Sequence, residues 1–175
     1  KPAVPARPGA RPGEKLLNLR MQAAYRPSAP KGVTDDYRCF LLDPKLAQDQ
    51  FVTGFNVLPD NPKVVHHVIL FRIHPDSGTA AKRLDAASPG AGWSCFGGIG
   101  VSGGSDALDN ASWISAWAPG WGAGRFPDGT GVSLAKGALV VMQVHYNLLN
   151  GHAPDRSRAV FTLAGAPGEL HTAVL

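Results

Sequence analysis

Three of the six histidines in the 175-residue chain occupy positions where an imidazole is unusual. His66 and His67 stand in the middle of the apolar run VVHHVILFRI (64–73), and His145 stands inside LVVMQVHYNLL (139–149). An imidazole in a core-forming segment must find hydrogen-bond partners or a metal, and three of them are hard to satisfy with backbone groups alone. Taken singly, each would more often be a hydrogen-bonded structural residue; together they point to a metal site. His74 beside Pro75, His152 in a Gly-His-Ala-Pro turn and His171 near the C-terminus lie where exposed histidines are ordinary.

Strand geometry raises an objection. Successive side chains of a regular strand point to opposite faces, so His66 and His67 should diverge. Both reach one ion only where the strand ends, bulges or twists, or where the ion sits at an edge and is approached from two sides. A wide, nearly opposed angle between two nitrogens would suit three-coordinate Cu(I) and would be awkward for tetrahedral zinc. In the second segment the period of two puts Val141, Gln143, His145 and Asn147 on one face, with Val140, Met142, Val144 and Tyr146 on the other. Met142 is therefore read as a core filler rather than a ligand. Gln143 shares the face of His145, where it could orient a ring or a bound water, or simply be solvated.

Other chemistries find no support. No Gly-x-Ser-x-Gly elbow accompanies His145. Asp35 and Asp36 are adjacent and read as solvated turn residues rather than a catalytic pair. GGIGVSGG fits neither a phosphate-binding nor a dinucleotide-binding loop. The net charge of +4 owes much to Lys1, Arg7 and Arg11, and no basic stripe with interleaved aromatics follows, which argues against a nucleic-acid partner.

The elements that must position the histidines are short and β-like. Hydrophobic residues make up 44% of the chain and charged residues 17%, which excludes disorder, while 21 Gly and 15 Pro argue against a helical bundle. Strands are expected at 16–22, 37–42, 51–58, 64–73, 113–119, 139–149 and 159–164, a recurrence that predicts an all-β, antiparallel, jelly-roll-like sandwich. Residues 1–13, with four Pro and two Gly, read as a flexible leader ahead of one domain at 14–175. Residues 90–131 hold twelve of the 21 glycines and all four tryptophans, so a long Gly/Trp-rich loop is expected to pack partly on the sheets. No apolar run approaches the roughly 20 residues of a membrane-spanning helix, so a soluble chain is expected. Two cysteines, Cys39 and Cys95, lack metal-cluster spacing and leave a single disulfide open.

The segments DDYRCFLLD, VVHHVILF, GWSC, AWAPG, FPDGTGVSL and VMQVHYN, in this order from about Tyr37 to Asn147, resemble the N-terminal domain of the copper type II, ascorbate-dependent monooxygenases. That family includes peptidylglycine alpha-hydroxylating monooxygenase and dopamine beta-hydroxylase. The resemblance implies copper held by His66, His67 and His145, with Tyr37 and Gln143 in supporting positions. It also implies a Cys39–Cys95 disulfide and hence an oxidising compartment, secreted or periplasmic. Ascorbate or another reductant, and a C-terminal domain carrying a second copper, would be its partners. The chain departs from the animal enzymes in having only two cysteines, no His-x-His pair and no methionine after His145. The second copper site cannot be completed within these residues.

The function expected is thus the electron-storing copper half of an oxygenase that hydroxylates C–H bonds, silent on its own. Three neutral imidazoles suit an ion that must alternate between Cu(I) and Cu(II). A stand-alone secreted copper-binding protein and a zinc hydrolase with a three-histidine site are the alternatives. A reading frame continuing past Leu175 into a second copper domain favours the first, a natural stop there the second. The third lacks an acid–base partner for its histidines.

Overall fold

The computed structural model describes residues 9–88, 91–101, 111–165 and 171–172. Its strands run in chain order as β1 (Lys15–Arg20), β2 (Asp35–Leu42), β3 (Gln50–Leu58), β4 (Val65–Ile73), β5 (Trp93–Ser94), β6 (Ala111–Trp117), β7 (Gly124–Arg125), β8 (Thr130–Leu134), β9 (Leu139–Asn147), β10 (Arg158–Gly165) and β11 (His171–Thr172). They form two sheets. One has the order β1-β10-β3-β8-β11 with β7 also on β3, and the other β5-β2-β9-β4-β6. All pairings are antiparallel except the short β8–β11 contact. The result is the all-β sandwich that the strand spacing predicts.

Alternation along the strands builds the sandwich. Val140, Met142, Val144 and Tyr146 of β9 are fully buried in the core between the sheets, beside Leu70 of β4 and facing Phe161 of β10 and Val52 of β3. The opposite face of the second sheet is covered too. Leu139 and Val141 of β9 pack there with Cys39, Leu41, Phe71 and Ile73, beneath Trp93, Ile99 and Ala81. Ala81 belongs to a helix, α1 (Gly78–Ala87), which the strand-based reading did not anticipate. The sequence GTAAKRLDAA is rich in helix formers, follows a 3-10 turn at Pro75–Ser77 and precedes Pro89.

The Gly/Trp-rich stretch is less loop-like than expected, since β5, β7 and the start of β8 fall within 90–131 in addition to β6, the strand expected at 113–119. Residues 90 and 102–110 of that stretch lie outside the described residues. Trp93 and Trp117 are buried and donate their indole N–H groups to the carbonyls of Ile99 (2.9 Å) and Trp121 (3.1 Å), whereas Trp113 and Trp121 are exposed. Gly92, at φ +66°, carries the chain over β2 so closely that a Cβ would fall 2.1 Å from the carbonyl oxygen of Cys39. Only glycine lets β5 enter there.

The described end of the leader is tied down. The Glu14 carboxylate accepts two hydrogen bonds from Arg125 (2.6 and 2.8 Å) and one from Thr53 (2.7 Å), and Arg125 also reaches the carbonyl of Gly9. Burial pushes the Glu14 carboxyl up, but its hydrogen bonds from Arg125, the Arg11 amide and Thr53 outweigh that and hold it at about 2. Among the described residues no helix is long and apolar enough to cross a membrane.

Candidate metal centre

β9 lies between β2 and β4, and register places His145 directly opposite Tyr37 on one side and His67 on the other. All three side chains therefore share the outer face of the sheet, at the end away from the outer apolar cluster. The difficulty posed by adjacent histidines is resolved by a β-bulge. Val65 pairs with Tyr146 while His67 pairs with His145, so two steps along β4 match one along β9 and His66 is the extra residue. Val65 still enters the inter-sheet core, His67 still faces outward, and His66 is re-aimed toward it.

The three imidazoles converge through their Nδ1 atoms. His67 Nδ1 lies 3.3 Å from His66 Nδ1 and 3.1 Å from His145 Nδ1, and one ligand atom from each ring lies within 4.8 Å of the other two. A ring nitrogen has one in-plane position, holding either a proton or a lone pair, so His67 Nδ1 can pair with only one neighbour. The trio is a poor hydrogen-bond network and a good ligand set: three imidazole nitrogens gathered this closely fit a late first-row ion that favours imidazole. Two nitrogens on opposite sides of one ion would lie about 4 Å apart. The His66–His67 and His67–His145 separations are shorter, so neither of those two pairs spans an ion from opposite sides. Burial, followed by the charges of His145 and His66, lowers the pKa of His67, which favours the neutral ring a metal needs.

Tyr37 stacks on His145, with ring centroids 4.3 Å apart and planes 4° from parallel, and Phe96 meets Tyr37 edge-on at 4.8 Å. Phe96 is held there by the disulfide between Cys39 and Cys95 and by the Cys95 amide, which donates to the Tyr37 carbonyl (3.1 Å). Gln143 is buried rather than solvated. Its Nε2 donates to the Cys95 carbonyl at 2.9 Å and to the Gly98 carbonyl at 3.4 Å, which ties it to the disulfide loop.

One participant escaped the sequence reading. Asp35, read there as a solvated turn residue, opens β2, and its Oδ1 lies 2.7 Å from His145 Nε2. That hydrogen bond, then one from Thr34, holds the Asp35 carboxyl below the usual carboxylate range. Asp36 is likewise engaged, accepting from Tyr25 Oη (2.8 Å) and the Ser28 amide (3.0 Å). What reveals it is the cross-strand register of the folded chain, which pairs Asp35 with Asn147, two residues beyond His145. Of the remaining histidines, His74 and His152 are exposed and join no metal-ligating group among the described residues, and the side chain of His171 lies outside the described residues.

A search among curated proteins gives no match. A family model describing the N-terminal domain of copper type II ascorbate-dependent monooxygenases matches residues 20–153, which include every strand of the histidine-bearing sheet. The chain therefore belongs to the copper type II, ascorbate-dependent monooxygenases, as their N-terminal domain.

Proposed function

We propose that His66, His67 and His145 hold one copper ion and that the domain serves as the electron-storing half of a monooxygenase that hydroxylates C–H bonds. The observation that carries this reading is the convergence of three Nδ1 atoms that cannot satisfy one another. When bound, copper supplies a one-electron Cu(II)/Cu(I) couple. The chain's residues supply the rest. β9 and β4 fix two imidazoles by register, the bulge brings in the third, and Tyr37 covers one face of His145. Three rings with no carboxylate among the donors suit an ion that changes charge without changing ligands.

The reductant is ascorbate or an equivalent one-electron donor. Oxygen insertion belongs to a partner domain with a second copper, because these 175 residues contain no His-x-His pair and no methionine beyond His145. The disulfide supports a secreted or periplasmic setting. The reading is tested by metal analysis and Cu(I) competition with a chelator. We expect one copper per chain, abolition of tight binding in His145→Ala, and no change in His152→Ala. Equal losses in both variants would sink the assignment. With copper, oxygen and ascorbate supplied, the chain alone should cycle its copper yet hydroxylate nothing.

A further inference from the structure

We propose that Asp35 is a positioning residue that selects the metal-binding tautomer of His145 and, through its charge, lowers the reduction potential of the ion held there; this rests on the copper reading of the three histidines. An ionised carboxylate only accepts hydrogen bonds, so at 2.7 Å from Asp35 Oδ1 the proton of a neutral His145 ring must sit on Nε2. The proton cannot also sit on Nδ1. That atom is left with a bare lone pair, 3.1 Å from His67 Nδ1 and within the group of three rings that could share an ion.

The carboxylate is itself held. Asn147 Nδ2 donates to the same Oδ1 at 3.2 Å, and Thr34 Oγ1 donates to Oδ2 at 3.1 Å. The Asn147 amide is oriented in turn, because its oxygen accepts from the Leu149 amide at 3.2 Å. Tyr37, parallel to the ring, opposes rotation of His145 out of this plane. A carboxylate behind a ligating imidazole raises the basicity of that ligand and fixes its orientation. Its negative charge favours the doubly charged oxidised ion over the singly charged reduced one, so the couple moves to lower potential.

The test uses the full chain and copper itself. Long-range proton–nitrogen NMR on the metal-free protein should show His145 protonated at Nε2. In Asp35→Ala that preference should be lost and Cu(I) affinity, read by chelator competition, should fall about 10–100-fold. Asp35→Asn keeps an oxygen where Asn147 can hold it, so it should retain the tautomer and most of the affinity while its potential, read by redox titration, rises above wild type. A wild-type His145 protonated at Nδ1, or an Asp35→Ala variant binding copper as tightly as wild type, would overturn the tautomer role. An unchanged potential in Asp35→Asn would overturn the electrostatic one. The parent reading fails separately, in a His145→Ala variant that binds copper like wild type.

Discussion

Met142 and His145 lie three residues apart on one strand and answer to different physics. Met142 is fully buried in the inter-sheet core, so Met142→Ala should cost about 2–5 kcal/mol in urea denaturation while leaving Cu(I) affinity unchanged. Tyr37→Leu should do the reverse: little change in the denaturation midpoint, and weaker copper binding, because the ring that braces His145 is gone. Swapped outcomes would mean that the faces of β9 and β2 are misassigned. At this scale the histidines were legible because a polar group inside an apolar strand needs a reason. Asp35 was not, because a carboxylate beside another carboxylate at the edge of a strand looks like any solvated pair. What distinguishes it is a contact across 110 residues.

Among the elements, the bulge in β4 makes the sharpest claim. Deleting His66 removes the extra residue and restores a regular ladder, with Val65 still inward and His67 still outward. The deletion should keep a cooperative thermal transition yet bind copper no better than His66→Ala; loss of the transition would show the bulge to be structural rather than a device for aiming a ring. Removing the Cys39–Cys95 bridge, which spans 56 residues, should cost about 2–5 kcal/mol and free Phe96 from Tyr37, read as weaker copper binding in the same variant. All seven strands expected from alternating apolar segments are present, because each buries at least one face. The two-residue strands β5, β7 and β11 were invisible, since pairs of residues carry no period, and the five-residue β8 was missed as well because TGVSL holds only two apolar residues. The helix α1 escaped because Ala, Gly and Thr between two turns gave little hydrophobic contrast, although its Ala81 is fully buried.

For the whole molecule, acid is the informative perturbation. The Glu14 carboxyl sits at about 2 in the folded state, below its ordinary 4.5, so the stability it contributes is complete above pH 4.5 and is lost as pH falls toward 2. Urea unfolding between pH 6 and 3 should therefore be less pH-dependent in Glu14→Gln than in wild type, and parallel curves would refute the clamp between β1, β3 and β7. The bulge bears on a different property, the kinetics of the site. Every residue of β9 but the last is buried, so the His145 amide should exchange with solvent only when the whole domain opens, whereas His66 is exposed at a break in the ladder and belongs to a region that opens locally. A bound ion would then leave by the fraying of one ligand while the other two stay assembled. Its off-rate should follow the modest activation enthalpy of local opening, and the vacated site should be ready to reload without any refolding.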